Sequence, residues 1–122
     1  MTTLLITGAR QGLGLEVARQ YAAETDWQII ATCLEPDSAA DLQAIAQGAG
    51  GRVSIRELDV DDHPAIERLS SDLAGQPIDI LLNNAGRKGP EEQTFGDYDY
   101  VRWNDVLRTN LFGPMKMTEA FV

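Results

Sequence analysis

The segment Leu4-Leu5-Ile6-Thr7-Gly8-Ala9-Arg10-Gln11-Gly12-Leu13-Gly14 constrains this chain more than any other, because it joins a short apolar run to an amphipathic stretch through three glycines. An apolar run of that length, ended by glycine, fits a fully buried parallel strand, which presents apolar side chains on both faces. After it, Leu13, Val17 and Tyr21 recur at four-residue spacing with Ala18 and Ala22 beside them, which predicts an amphipathic helix over 12–23. A strand, a glycine loop and a helix in that order form the setting of a dinucleotide fingerprint. Gly8 permits the tight turn, Gly12 removes a side chain where backbone must approach pyrophosphate, and Gly14 lets helix and strand pack closely. The helix N-terminus then offers free N–H groups and a positive dipole end to an anion. Glycines also serve ordinary turns, so the loop alone does not decide the matter.

The rest of the chain repeats the alternation. Residues 27–33 form a second apolar run, and Pro36-Asp37-Ser38 supplies a stop and an N-cap for a helix whose buried face is Leu42, Ile45 and Ala46. Gly48, Gly50 and Gly51 end that helix. Val53, Ile55 and Leu58 mark a third strand, and Asp61-Asp62-His63-Pro64 opens a third helix lined by Ile66, Leu69 and Leu73. A fourth strand spans 78–82, a polar loop follows from Asn83 to about Asp97, and a last helix carries Trp103, Val106, Leu107 and Leu111. Strands alternating with helical stretches call for right-handed crossovers and a parallel sheet covered on both faces, an α/β fold in a single domain over 1–122.

Composition narrows the partners. With 19 acidic against 10 basic residues the formal charge is -9, and no run gathers the basic residues into a stripe, so nucleic acid and anionic membrane are not expected. Cys33 is the single cysteine, which leaves no internal disulfide and no multi-cysteine metal site, and a reducing cytoplasm fits best. The N-terminal apolar run is too short for a signal peptide or a membrane span. His63 precedes a proline at a helix start and reads as an exposed entry residue. Trp103 and the Met115/Met117 pair read as packing.

Four elements in order carry a family resemblance: the TGxxxGxG spacing from Thr7 to Gly14, Asp59-Val60 after the third strand, Asp79 through Asn83-Asn84-Ala85-Gly86, and Trp103 through Asn110. Together they resemble the short-chain dehydrogenase/reductase family over essentially the whole chain. The resemblance implies a Rossmann-type doubly wound sheet and NAD(P)-dependent interconversion of a carbonyl and an alcohol by hydride transfer. It implies that Gly8, Gly12 and Gly14, with Arg10, Gln11 and Leu13 between them, surround the cofactor pyrophosphate. On the same ground Asp59 and Val60 hold the adenine, Asn83, Asn84, Ala85 and Gly86 line the cofactor cleft, and Asn110 supports catalysis from a kinked helix. A loop aspartate such as Asp59 is in general more often a solvated cap, and Asn83 and Asn84 also suit ordinary turn chemistry. The position of Asp59 at the carboxyl edge of the sheet favours a ligand role. A methyltransferase also places a glycine loop after its first strand, but the TGxxxGxG spacing and NNAG argue against that class.

Two departures from the family stand out. Its catalytic tyrosine has a lysine four residues on, whereas Tyr21, Tyr98 and Tyr100 are followed at that spacing by Thr25, Arg102 and Asn104. The expectation is therefore a cofactor-binding portion, incomplete at its C-terminus, that lacks the Ser-Tyr-Lys machinery. The alternative is a catalytically silent dinucleotide-binding or regulatory module. Cofactor preference is also open: Leu34 and Glu35 follow the second strand, where an acid favours NAD, while Arg10 favours NADP. A fourth parallel strand left at an edge exposes unpaired backbone and apolar faces. Either further chain or a second copy is expected there, and self-association, a homo-oligomer, is expected in both cases.

Overall fold

A computed structural model describes residues 1–122. Strands β1 (Thr3–Ile6), β2 (Gln28–Cys33), β3 (Val53–Glu57) and β4 (Ile80–Leu82) form one parallel sheet in the order β3-β2-β1-β4. The connections are helices α1 (Gly12–Glu24), α2 (Ala40–Gly48) and α3 (His63–Asp72). After β4 a long loop leads to α4 (Tyr100–Leu107), a π-helical turn at Arg108–Phe112, and α5 (Gly113–Phe121). This is the Rossmann-type arrangement, and no helix is long and apolar enough to cross a membrane.

The continuous apolar runs exist because both sheet faces are covered. Along β1, Leu4 and Ile6 enter one layer and Leu5 the other, and β2 repeats this with Ile29, Ala31 and Cys33 against Ile30. The first layer is closed by Ala18 and Ala22 of α1 and Leu42 of α2. The second is closed by Ile66 and Leu69 of α3 and Met117 of α5. Arg52 secures the first layer's far end, donating to the Ala22 and Thr25 carbonyls at the C-terminus of α1 and to the Trp27 carbonyl just before β2.

Three local expectations are corrected. The inward stripe of α1 is Gly14, Ala18 and Ala22, with Leu15 and Val17 partly buried beside it, whereas Leu13 (79% exposed) and Tyr21 face solvent; the glycine loop draws the start of the helix so close to β1 that a small residue, Gly14, must face it. Ser38 does not cap α2. Pro36–Ser38 forms a 3-10 turn, and the Ser38 hydroxyl donates to the Glu35 carbonyl and accepts from Arg10, while Ala39 stands at the helix start without a capping side chain. Met115 is exposed, so only Met117 of that pair packs in the core.

The opening of α3 matches its expectation: the Asp62 carboxylate accepts from the Ala65 N–H, with Pro64 in the first turn. Strand β4 begins at Ile80, later than expected, because Asp79 is spent on a different task. Its carboxylate accepts from the Thr3 N–H at 2.8 Å and its own N–H donates to the Thr3 carbonyl, fixing the register of β4 on β1. β4 is an edge strand as expected, with Ile80 exposed and Leu107, Leu111, Phe112 and Met115 also open to solvent.

Candidate functional site

After β1 the chain passes to the α1–α2 face, and after β4 it passes to the α3–α5 face, so the two exits diverge and leave a crevice at the carboxyl ends of the strands. A cleft of about 570 Å³ lies there. Its floor is the glycine loop. Gly8 and Gly12 have φ of 68° and 61°, a region that glycine alone enters without strain. A Cβ on Gly12 would meet no protein atom within 4 Å, so the space above it is free for a ligand. Gln11, at the N-cap of α1, makes no capping bond, and the N–H groups of Gly12, Leu13 and Gly14 find no acceptor in the chain. Uncapped N–H groups beside open space make an anion cradle.

Two loops are zipped together to form this floor. The buried Thr7 hydroxyl accepts from the N–H groups of Asn84 at 3.1 Å and Ala85 at 3.0 Å, and the Asn84 amide donates to the Gly8 carbonyl at 3.1 Å. A Cβ on Gly8 would lie 2.7 Å from the Ala85 Cα, and one on Gly14 would strike the Gly8 carbonyl oxygen. Gly8 and Gly14 thus serve packing as well as turn geometry. Asn84, Ala85 and Gly86 line the cleft, whereas Asn83 is exposed beyond its wall and Gly14 lies beneath the floor.

At one end of the cleft Arg10 reaches across to the loop after β2. Its Nη1 donates to the Glu35 carbonyl at 2.9 Å, the Ser38 Oγ at 3.0 Å and the Leu34 carbonyl at 3.4 Å, and its Nη2 donates to the Ser38 carbonyl at 3.3 Å. All four acceptors are uncharged, and Arg10 belongs to none of the chain's ion pairs. Leu34 joins the wall. Glu35 takes the left-handed backbone region, φ 48°, and does not line the cleft.

Asp59 and Val60, which follow β3, line the cleft next to Leu34. Asp59 is also a turn residue: one carboxylate oxygen accepts from the Asp61 N–H at 2.9 Å, so the cap and the lining position coexist. Val60 touches the start of α5, where a Cβ on Gly113 would sit 3.0 Å from its Cγ2.

Five lining residues, Cys33, Leu58, Asp61, Arg87 and Thr109, were not read from the sequence. Each adjoins or closely follows a motif position, and extending the motifs by a residue or two would have found them. Burial pushes the Cys33 thiol above its ordinary value, against the pull of the Arg10 charge, so the thiol stays protonated at neutral pH. Asn110 stands behind Arg87 rather than on the wall. Its Oδ1 accepts from the Arg87 N–H at 2.7 Å and its Nδ2 donates to the Arg87 carbonyl at 2.9 Å. The polar residue expected in a helix interior sits in a π-helical turn and uses both amide groups on a neighbouring loop.

Comparisons with known proteins agree with this geometry. Residues 2–122 match the family described as short chain dehydrogenase. Ketoacyl reductase HetN from Nostoc sp. is 32% identical over 98% of this chain and 42% of its own length. Retinol dehydrogenase 8 from Homo sapiens is 31% identical over 97% of this chain and 38% of its own length. Among solved structures, a carbonyl reductase from Pseudomonas aeruginosa superposes with a TM-score of 0.91 at 31% identity, covering 99% of this chain and 55% of that one. The NADPH-bound carbonyl reductase from chicken fatty liver gives 0.87 at 28% identity, covering 99% and 47%. The chain therefore spans about half or less of the length of the proteins it matches. With its parallel sheet, its glycine-loop crevice and a family match over nearly every residue, this chain belongs to the short-chain dehydrogenase family.

Proposed function

We propose that this chain supplies the cofactor-binding portion of an NAD(P)-dependent oxidoreductase that interconverts a carbonyl and an alcohol. The observation that carries the proposal is the floor of the crevice, where Gly12 faces open space and the first N–H groups of α1 have no acceptor. A pyrophosphate fits that cradle in charge and shape. Leu34 and Val60 offer apolar contact to an adenine beside the Asp59 carboxylate, and Asn84 to Gly86 form the wall along which the rest of the dinucleotide would run. When bound, the nicotinamide would supply or accept hydride. Asn110 acts on Arg87 and its loop, as a support for the reacting end rather than as an acid or base.

Neither NAD nor NADP is excluded by the walls, but the uncompensated Arg10 charge favours the cofactor with the extra ribose phosphate. Structural relatives bound to NADP support that order. The test is a fluorescence titration of the chain with NADPH and NADH separately. Saturable binding of both, tighter for NADPH, is expected; no saturable signal from either would overturn the reading. Carbonyl reduction would then be sought in a chain that also carries the family's Ser-Tyr-Lys set.

A further inference from the structure

A carboxylate and a hydroxyl 48 residues apart meet at the inner wall of the cleft. Thr109 Oγ1 donates to Asp61 Oδ1 at 2.8 Å, and Asp61 Oδ2 faces Arg87 Nη2 at 3.6 Å. The Arg87 backbone is in turn gripped on both its N–H and its carbonyl by Asn110, the residue after Thr109. Asp61, Arg87, Asn110 and Thr109 thus close a ring. Through its own N–H, Asp61 is bonded to the Asp59 carboxylate, so the ring extends to a second lining residue of the cleft. The Asp61 side chain is 18% exposed and Thr109 is buried, which removes water as a ready substitute partner and makes each bond harder to replace.

The ring spans three elements that the backbone alone leaves independent: the β3–α3 loop, the exit from β4, and the π-helical turn. The first and second of these flank the space assigned above to the dinucleotide, and the third carries Asn110. We propose that Asp61 is a positioning residue whose carboxylate ties the Asn110 turn and the Arg87 loop to the Asp59 end of the cleft. Filling of the cleft and ordering of that turn then become one coupled event. The ring stands on the geometry alone, while the coupling rests on the dinucleotide reading.

Backbone amide hydrogen exchange separates the two. Without ligand, Asp61→Ala and Thr109→Val should speed exchange of the Arg87 amide and of the 109–112 amides about tenfold, and Thr109→Ser, which keeps the hydroxyl, should not. Unchanged exchange in both variants, with circular dichroism showing the fold intact, would overturn the ring. With saturating NADPH, the wild-type chain should gain protection at the glycine loop and at Arg87 and 109–112 together. In Asp61→Ala, protection should remain at Gly12–Gly14 and be lost at the distant turn; protection that still spreads to the turn would overturn the coupling. If the wild-type chain binds no NADPH, the coupling fails with the dinucleotide reading, and the ligand-free comparison still decides the ring.

Discussion

Thr7 and Asn84 are joined in both directions across the floor of the crevice. The Thr7 hydroxyl accepts from the Asn84 backbone N–H at 3.1 Å, and the Asn84 side chain donates to the carbonyl of Gly8, the residue after Thr7. With a further bond from the Ala85 N–H, one buried hydroxyl satisfies two backbone donors of the loop that follows β4. Thr7→Val keeps the shape and removes the acceptor, leaving the Ala85 N–H without a partner and the Asn84 N–H with the Leu82 carbonyl alone, which should cost about 1–2 kcal/mol. Thr7→Ser should restore most of it. Urea denaturation of the three chains checks this, and equal midpoints for Val and wild type would contradict it.

Gly8 and Gly12 share a positive φ but differ in their surroundings, so the same substitution should act differently at each. Gly12→Ala introduces strain of about 1–2 kcal/mol and no clash, and should leave a folded chain with NADPH binding lost or strongly weakened. Gly8→Ala adds the same strain and also drives a Cβ into the Ala85 backbone, so it should destabilise the fold by about 3 kcal/mol or more. Thermal melts and NADPH titration of both variants decide the matter. A Gly12→Ala chain that binds normally would remove the glycine loop from the site.

Arg10→Met removes a charge that no carboxylate neutralises. NADPH affinity should fall about tenfold, the scale of one charge-assisted hydrogen bond, while NADH affinity changes much less. Arg10→Lys should keep part of the difference, since the charge remains and the forked geometry is lost. Equal losses for both cofactors would mean that Arg10 only holds the loop after β2.

On the opposite face Lys116 of α5 bridges Glu119 at 2.7 Å and Glu67 of α3 at 2.8 Å. The hydrogen bond from Lys116 holds the Glu119 carboxyl below the usual range, and those to Glu119 and Glu67 raise the Lys116 pKa. The depressed carboxyl contributes stability that is present above its unfolded value near 4.3 and lost as pH falls through its folded value. The raised ammonium contributes stability that is present below its unfolded value near 10.4 and lost as pH rises through its folded value. Melting temperatures of Lys116→Met and wild type should therefore differ most between about pH 5 and pH 10 and converge at both extremes. Parallel curves across the whole range would exclude the linkage.

Much of the candidate crevice is legible in the sequence. The glycine spacing, Asp59-Val60, NNAG and Asn110 are contiguous motifs whose local chemistry dictates their backbone, and the fold brings most of them to one crevice. What escaped were Asp61, Arg87 and Thr109, which act through partners 23 to 48 residues away and leave no periodic trace. Ser38 was misread for a related reason: a serine before a helix suits a cap, but Arg10 supplies a competing partner from another loop.

The order of strands and helices, the two-faced burial of β1 and β2 and the glycine turn are already written in the sequence, because each follows from side-chain period or from φ values that glycine adopts without strain. Tertiary structure alone decided which glycines clash and which face open space, which face of α1 turns inward, and that Asp79 and Thr7 are staples. Those outcomes depend on how closely two distant backbones approach, a distance set by the packing of the whole sheet and its helices rather than by any local run of residues.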